Sequence, residues 1–338
     1  MRYRQLGHTG VEVSTLCLGT MLFGPWGNRD HDESIRIIHR ALDAGVNFVD
    51  TADVYAAGES EQIVGKALRG RRDDVVLATK FHGPMGDDRN RRGNSRRWIM
   101  RAVDDSLRRL GTDWIDLYQV HRPEPDTAID ETLGALTDLV RAGKVRYLGS
   151  STFPAHAIVA AQWTAQRRGR ERFVCEQPPY SMLVRGIEAD VLPVCRSQGM
   201  GVIAWSPLAG GWLSGRADVT APGSNRAERI PARFDMSIPA NQAKLDAAGA
   251  LAEVAQAAGL SPIHMALAFV TNHPAVTAAI IGSRTMEQLE SQLGAADVDL
   301  DAAVLDQIDA IVPPGTNLNP ADAGYTPPAL SDPAQRRR

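Results

Sequence analysis

Cysteine is scarce in this chain. Its 338 residues contain three, Cys17, Cys175 and Cys195, with no C-x-x-C pair and no metal-ligand spacing. That argues against a disulfide framework or a thiolate metal site, and it predicts reduced core thiols in a cytoplasmic protein. Long apolar runs are also missing. Nothing reaches the roughly 18 apolar residues of a membrane span, and the opening MRYRQLGHTG has no signal-peptide core. Nor is there an excess of one charge. A net charge of -3 offers no basic surface to nucleic acid or anionic lipid. The expected partner is therefore a small molecule, and the sequence leaves a homo-oligomer open.

What the chain has is a core and a rhythm. Hydrophobic residues make up 43% and charged residues 23%, enough apolar material for one large globular core. Gly7 and Gly10 separate two short alternating runs, which predicts a β-hairpin over 3–14 that plugs one end of a larger structure. After it, short apolar runs predict strands at 16–19, 47–50, 75–80, 115–119, 147–150, 173–177, 201–205 and 278–281. Amphipathic patterns predict helices at 33–44, 60–68, 95–110, 130–142, 154–168, 190–197, 244–258, 262–271 and 285–293.

Such alternation admits a closed barrel or an open doubly wound sheet. The open sheet predicts G-x-G-x-x-G after its first strand, but the chain reads Gly19-Thr20-Met21-Leu22-Phe23-Gly24. The Gly-Lys pairs at 65–66 and 143–144 lack the rest of a phosphate-binding P-loop. The expected fold is therefore a single (β/α)₈ TIM barrel spanning 1–338, with a Pro-rich tail from about 312. The loop 81–94, the stretch 209–239 and the tail exceed what connection needs, and the end 333–338 is expected to fray. In a barrel, long loops after strands gather on the face that carries the chemistry.

Asp50, Lys80 and His121 stand at or just past the ends of three consecutive predicted strands, and Tyr55 lies in the loop after Asp50. Singly, each has an ordinary reading as a turn cap, a snorkelling cation, a packed ring or a structural imidazole. On neighbouring strand ends those readings would have to coincide. Together the residues suit one chemistry. A phenol with an ordinary pKa of about 10 donates a proton poorly at neutral pH, and a nearby ammonium favours its phenolate. A carboxylate keeps that ammonium charged, and a neutral imidazole can align a carbonyl oxygen. This arrangement moves protons but holds no electrons, so it needs a bound hydride donor.

The string Asp50-Thr51-Ala52-Asp53-Val54-Tyr55, the strand ending in Lys80, and Leu117-Tyr118-Gln119-Val120-His121-Arg122-Pro123 resemble the aldo-keto reductase superfamily. The resemblance extends from the hairpin to about Pro313. It implies a barrel with a catalytic tetrad, here Asp50, Tyr55, Lys80 and His121, and a nicotinamide cofactor extended across the rim. It further implies that Gly19, Thr20 and Met21 pass near the nicotinamide ribose, and that Asp50 and Ser151 belong to the cofactor site. Gln177 would bind the carboxamide, and Trp205 would lie under the nicotinamide ring. Ser206, Leu208, Gly210 and Gly211 match the loop approaching the pyrophosphate, and Gly282, Ser283, Arg284, Gln288 and Gln292 match the 2′-phosphate and adenine site. Thr285-x-x-Gln288 also reads as a capping box, and a helix N-terminus beside Arg284 favours an anion, hence NADPH over NADH. Thr152 replaces a common Asn, and Ser291 and Gln292 replace a common acidic residue and Asn, which bears on affinity.

Phe23, Trp26, His82, Met85 and Trp212 fall on predicted rim loops and are candidates to contact the carbonyl substrate. The arginines at 89, 91, 92, 96 and 97 read as a solvated loop face. Two rivals remain open: a slow NADP(H)-binding regulatory subunit, and a barrel aldolase with Lys80 as Schiff-base nucleophile. The latter needs a neutral amine.

Overall fold

The hairpin comes first: β1 (Tyr3–Gln5) pairs antiparallel with β2 (Glu12–Ser14). Its turn is fitted into the underside of the molecule. At Gly7, φ is +59°, and an added Cβ would lie 2.7 Å from Gly199 O, Gly201 N and Val174 O. Only glycine meets both demands.

The computed structural model describes residues 1–216 and 230–335. In it the predicted central strands close into a ring. They are β3 (Leu16–Gly19), β4 (Phe48–Asp50), β5 (Val76–Phe81), β6 (Ile115–Val120), β7 (Val145–Ser151), β8 (Phe173–Gln177), β9 (Gly201–Ala204) and β10 (Ala278–Gly282). Each pairs in parallel with the next, and β10 returns to β3. The protein is a (β/α)₈ barrel.

Side chains alternate along each strand, so one set faces the barrel interior and the other the surrounding helices. Near the strand starts the inward set is apolar. Cys17, Phe48, Ala78, Leu117, Cys175, Ile203 and Ala278 pack there with Leu6 and Val13 of the hairpin, which stops the floor. Two residues on, the inward positions become Gly19, Asp50, Lys80, Gln119 and Gln177, joined by Ser151 at the end of β7, and the interior turns polar. Register brings them level: Gly19 opposes Asp50, Lys80 opposes Gln119, and Ser151 opposes Gln177. The outward set, including Leu18, Val49, Leu77, Tyr118, Leu148 and Ile281, joins the main core under the helices.

Several of those helices begin at a side-chain cap. Asp30 accepts from the Glu33 N–H and opens α1 (His31–Asp43), which buries Ser34, Ile37, Ile38 and Ala41. The next are α2 (Glu59–Ala67), α3 (Arg96–Leu110), α4 (Ile129–Arg141), α5 (Ala155–Arg168) and α6 (Val191–Ser197). After them come α7 (Pro239–Ala257), α8 (Pro262–Asn272), α9 (Met286–Leu293) and α10 (Ala302–Ile311). Helix α7 starts at Pro239 rather than 244, because proline is well suited to a first turn. Helix α10 is not among the helices expected above, although Asp301 caps it and Val304 and Ile308 give it a buried stripe.

Among the described residues no single helix is long and apolar enough to cross a membrane. The three cysteines are free and buried, as their scatter predicted. Within the long stretch 209–239, residues 217–229 lie outside the described residues, as do 336–338 of the tail.

Candidate active site

Strand ends and one short loop assemble the predicted residues. Asp50 closes β4, and the chain then turns through Thr51–Val54 into a tight turn at Tyr55–Gly58. Ala56 and Ala57 adopt φ of 49° and 55°, a left-handed conformation that L-residues take at some cost. The loop is held down by backbone bonds from Thr51 N to Ala78 O (2.9 Å) and from Asp53 N to Lys80 O (3.1 Å).

Lys80 is fully buried, and three acceptors surround its ammonium. It donates to Asp50 Oδ2 at 2.5 Å, to Thr51 O at 2.7 Å and to Tyr55 Oη at 3.3 Å. Burial alone would lower the Lys80 pKa, but the Asp50 carboxylate and the Tyr55 oxygen outweigh it and hold the ammonium above its usual value. This opposes the aldolase reading, which needs a free amine.

The other oxygen of Asp50 accepts from Gln119 Nε2 (3.1 Å) and Gln177 Nε2 (2.9 Å), while Gln177 Nε2 also approaches Gln119 Oε1 at 3.1 Å. Gln119 was not singled out from the sequence. Its signal was its inward parity, two residues past the floor residue Leu117.

The Tyr55 ring stands between two others, with Trp26 at 6.1 Å and 57° and His121 at 5.8 Å and 80°. Burial pushes the His121 pKa well below its usual value, helped by the charges of Lys80, Arg122 and His82. The imidazole is therefore neutral at physiological pH, and can hydrogen-bond a carbonyl oxygen without competing for its proton.

The substrate candidates divide. Trp26 lies beside Tyr55, and His82 is half-buried with its Nδ1 2.9 Å from Asn94 Oδ1. Met85 is half-buried against the main core. Two expectations need correction. Phe23 is 0% exposed within the main core, so it has no surface to offer a ligand. Trp212 turns inward, stacking on Phe234 at 5.8 Å and 9° with the Lys244 ammonium 4.8 Å from its ring. Aromatic area on a loop gains more from such burial than from standing in a wet mouth.

The predicted cofactor residues share this rim. Thr20 is buried, donating to Asp50 O at 3.1 Å and accepting from Ser60 Oγ at 2.9 Å, whereas Met21 is exposed. Ser151 Oγ donates to Gln177 O at 2.9 Å. Past Trp205 the backbone coils through positive φ at Ser206 (60°), Ala209 (49°) and Gly210 (76°), with Leu208 half-buried between them. At the end of β10, nothing stands within 4 Å of where a Cβ on Gly282 would be. Ser283 is buried, accepting from Gln292 Nε2 at 3.1 Å, and Arg284 is exposed.

Thr285 caps α9 by accepting from Gln288 N at 3.3 Å, and Gln288 Oε1 accepts from Arg284 N at 2.9 Å. The reciprocal bond thus lands one residue before the expected capping box. Gln292 Oε1 is buried without a hydrogen-bond partner among the described residues. An open glycine, a helix N-terminus beside a guanidinium and an unpartnered buried amide oxygen fit a phosphorylated, amine-bearing nucleotide.

The sequence profile of the Aldo/keto reductase family matches residues 15–313. The chain belongs to that family. An uncharacterised oxidoreductase of Bacillus subtilis (strain 168), YrpG, is 42% identical over 324 residues, covering 93% of this chain and 96% of its own. The versiconal hemiacetal acetate reductase of Aspergillus parasiticus is 34% identical, covering 89% and 94%. A probable voltage-gated potassium channel subunit beta of Oryza sativa subsp. japonica is 35% identical, covering 92% and 97%. As an aldo/keto reductase, the protein is an oxidoreductase acting on carbonyl groups.

Behind the site lies a group with a pH signature. Glu176 is fully buried, accepting from Phe153 N at 3.0 Å and from the Ser150 hydroxyl. Burial raises its carboxyl from 4.5 to about 7, against the opposing pull of those donors and Arg122. The native state therefore keeps a proton that the unfolded chain releases. Its contribution to stability is complete below pH 4.5 and falls as pH rises towards 7. Glu176→Gln should remove a pH-dependent loss on the order of 3 kcal/mol between those limits. Urea unfolding at pH 5 and pH 8 tests this, and equal pH dependence in both proteins would refute it.

Proposed function

We propose that the protein reduces aldehydes or ketones to alcohols using NADPH, with Tyr55 as proton donor. One observation carries this: the Lys80 ammonium is anchored by Asp50 while donating to the Tyr55 oxygen. NADPH, when bound, supplies the hydride that such a site needs. Ser151, Gln177, Trp205, Ser206, Leu208 and Gly210 would hold its nicotinamide half. Ser283, Arg284, Gln288 and Gln292 would hold the adenosine phosphate.

The protein groups then have distinct tasks. Neutral His121 hydrogen-bonds the carbonyl oxygen and turns it towards Tyr55. Tyr55 gives its proton as negative charge develops on that oxygen. Lys80 stabilises the phenolate left behind, and Asp50, itself held by two glutamine amides, keeps Lys80 charged and in place.

Steady-state NADPH oxidation with aromatic and aliphatic aldehydes tests the activity. Arg284→Ala tests the cofactor. Losing charge-assisted bonds to a 2′-phosphate should raise the Kd for NADPH roughly ten- to hundredfold and leave NADH little changed. Equal losses for both would remove the phosphate argument.

The likeness to relatives named as potassium channel β-subunits supports a second reading, a slow NADP(H)-binding regulatory subunit. Tight NADPH binding with no turnover of any aldehyde would favour it.

A further inference from the structure

Beside the tetrad lies a second set of charges that carbonyl reduction alone does not require. Arg122 follows His121 and folds back over the rim, donating to His121 O at 2.6 Å and to Thr152 Oγ1 at 3.2 Å. Its guanidinium carbon lies 6.0 Å from the Trp205 ring centroid. Arg233 approaches the same ring, at 5.6 Å, from the segment before α7. Two cations thus converge on one indole at the mouth of the site.

Their charges are poorly balanced. The only carboxylate within ion-pair distance of Arg233 among the described residues is Asp322, which also takes the Lys244 ammonium at 2.9 Å. Among the described residues no carboxylate forms an ion pair with Arg122. Glu176 is near enough to act on Arg122 through space, but its oxygens are taken by Ser150 and Phe153, and its proton is held up to about 7. Arg122, Arg233 and Lys244 therefore face one committed carboxylate. Cations gathered in a shielded place are costly unless an anion joins them.

The tail closes the other side. A Cβ on Gly324 would lie 2.7 Å from Trp205 Cζ2 and 3.2 Å from Thr152 Cγ2, so the chain after Asp322 packs against this corner. The tail thus packs beside two guanidinium groups whose hydrogen bonds among the described residues come only from Arg122 Nη1 and Arg233 Nε, and Tyr55 is near enough to act on the Arg122 charge.

We propose that Arg122 and Arg233 form an anion subsite, so that the preferred substrates are aldehydes or ketones bearing a carboxylate or phosphate. The inference rests on the carbonyl-reductase reading above. The reaction itself is unchanged. The carbonyl carbon gains a hydride from the reduced nicotinamide, the oxygen gains the Tyr55 proton, and the distant anion only anchors the molecule.

Matched probes test it. 4-Carboxybenzaldehyde is compared with its methyl ester, and 4-formylphenyl phosphate with 4-methoxybenzaldehyde. The wild type should prefer an anionic member in kcat/KM by about tenfold or more, as charge-assisted hydrogen bonds predict. The pair with the larger ratio shows whether carboxylate or phosphate is preferred. Arg122→Gln and Arg233→Gln should collapse the ratio, which is internally corrected for any loss of folded enzyme, and lysine at either position should restore part of it. Equal kcat/KM within both pairs would overturn the subsite while leaving carbonyl reduction intact.

Binding gives a readout that needs no turnover. 4-Methylbenzoate and phenyl phosphate, titrated calorimetrically into wild type saturated with NADP, should bind in at least one case and be weakened by either glutamine variant. Absence of binding by both would overturn the subsite even if no aldehyde were reduced. Glutamine variants that weaken NADPH binding without changing the selectivity ratio would assign the arginines to the cofactor and also overturn it.

Discussion

Tyr55→Phe is expected to lower kcat for aldehyde reduction by about 10²- to 10⁴-fold, the range typical of a lost general acid. NADPH affinity should stay nearly unchanged. The substitution keeps the ring that fits between Trp26 and His121 and removes only the oxygen 3.3 Å from the Lys80 ammonium. Lys80 retains Asp50 and Thr51 O as acceptors, so the buried charge is not stranded. Loss of turnover would therefore report proton donation rather than local collapse. NADPH oxidation rates and a fluorescence titration of the cofactor give the two numbers. A variant with wild-type kcat would remove Tyr55 from the mechanism.

Asp322→Ala should have the largest effect on stability. The side chain of Asp322 is buried, and its two oxygens take Arg233 and Lys244, while Lys244 also donates to Arg233 O at 2.7 Å. The neighbouring Asn319 donates to Asn241 Oδ1 at 2.7 Å, so the tail is tied to the start of α7 at two points. Removing the carboxylate leaves both cations without their anion. Breaking a buried pair in this way costs about 3–5 kcal/mol. Denaturant unfolding should show that loss, and Asp322→Asn, which keeps the shape without the charge, should lose a similar amount. A loss below about 1 kcal/mol would place the cluster with weak surface pairs.

The repeating pattern was legible because the strands are buried on both faces. Runs at 16–19 and 173–177 read the same in sequence and structure. The residues around Lys80 were legible as a set because strand ends in consecutive βα units must become neighbours. What escaped was anything decided by direction or distance. Phe23 and Trp212 sit on loops, where spacing does not fix which way a ring points, and both turned into the core. The link from Arg233 to Asp322 spans 89 positions and that from Lys244 to Asp322 spans 78, so no local pattern announces either. Helix α10 has a readable stripe in Val304 and Ile308, but only two buried positions mark it and a proline-rich tail follows.

The seat of the amino-terminal hairpin bears on how the molecule is made. Its turn rests on Gly199 and Gly201, and the Ala279 N–H reaches back to Thr15 O at 2.9 Å. The hairpin thus has no berth until the segment around Gly199–Gly201 has been made, and β3 gains its second neighbour only when β10 arrives. Such distant partnerships slow folding. They also mean that a chain without β10 would display an unclosed seam between β9 and β3, an invitation to self-association.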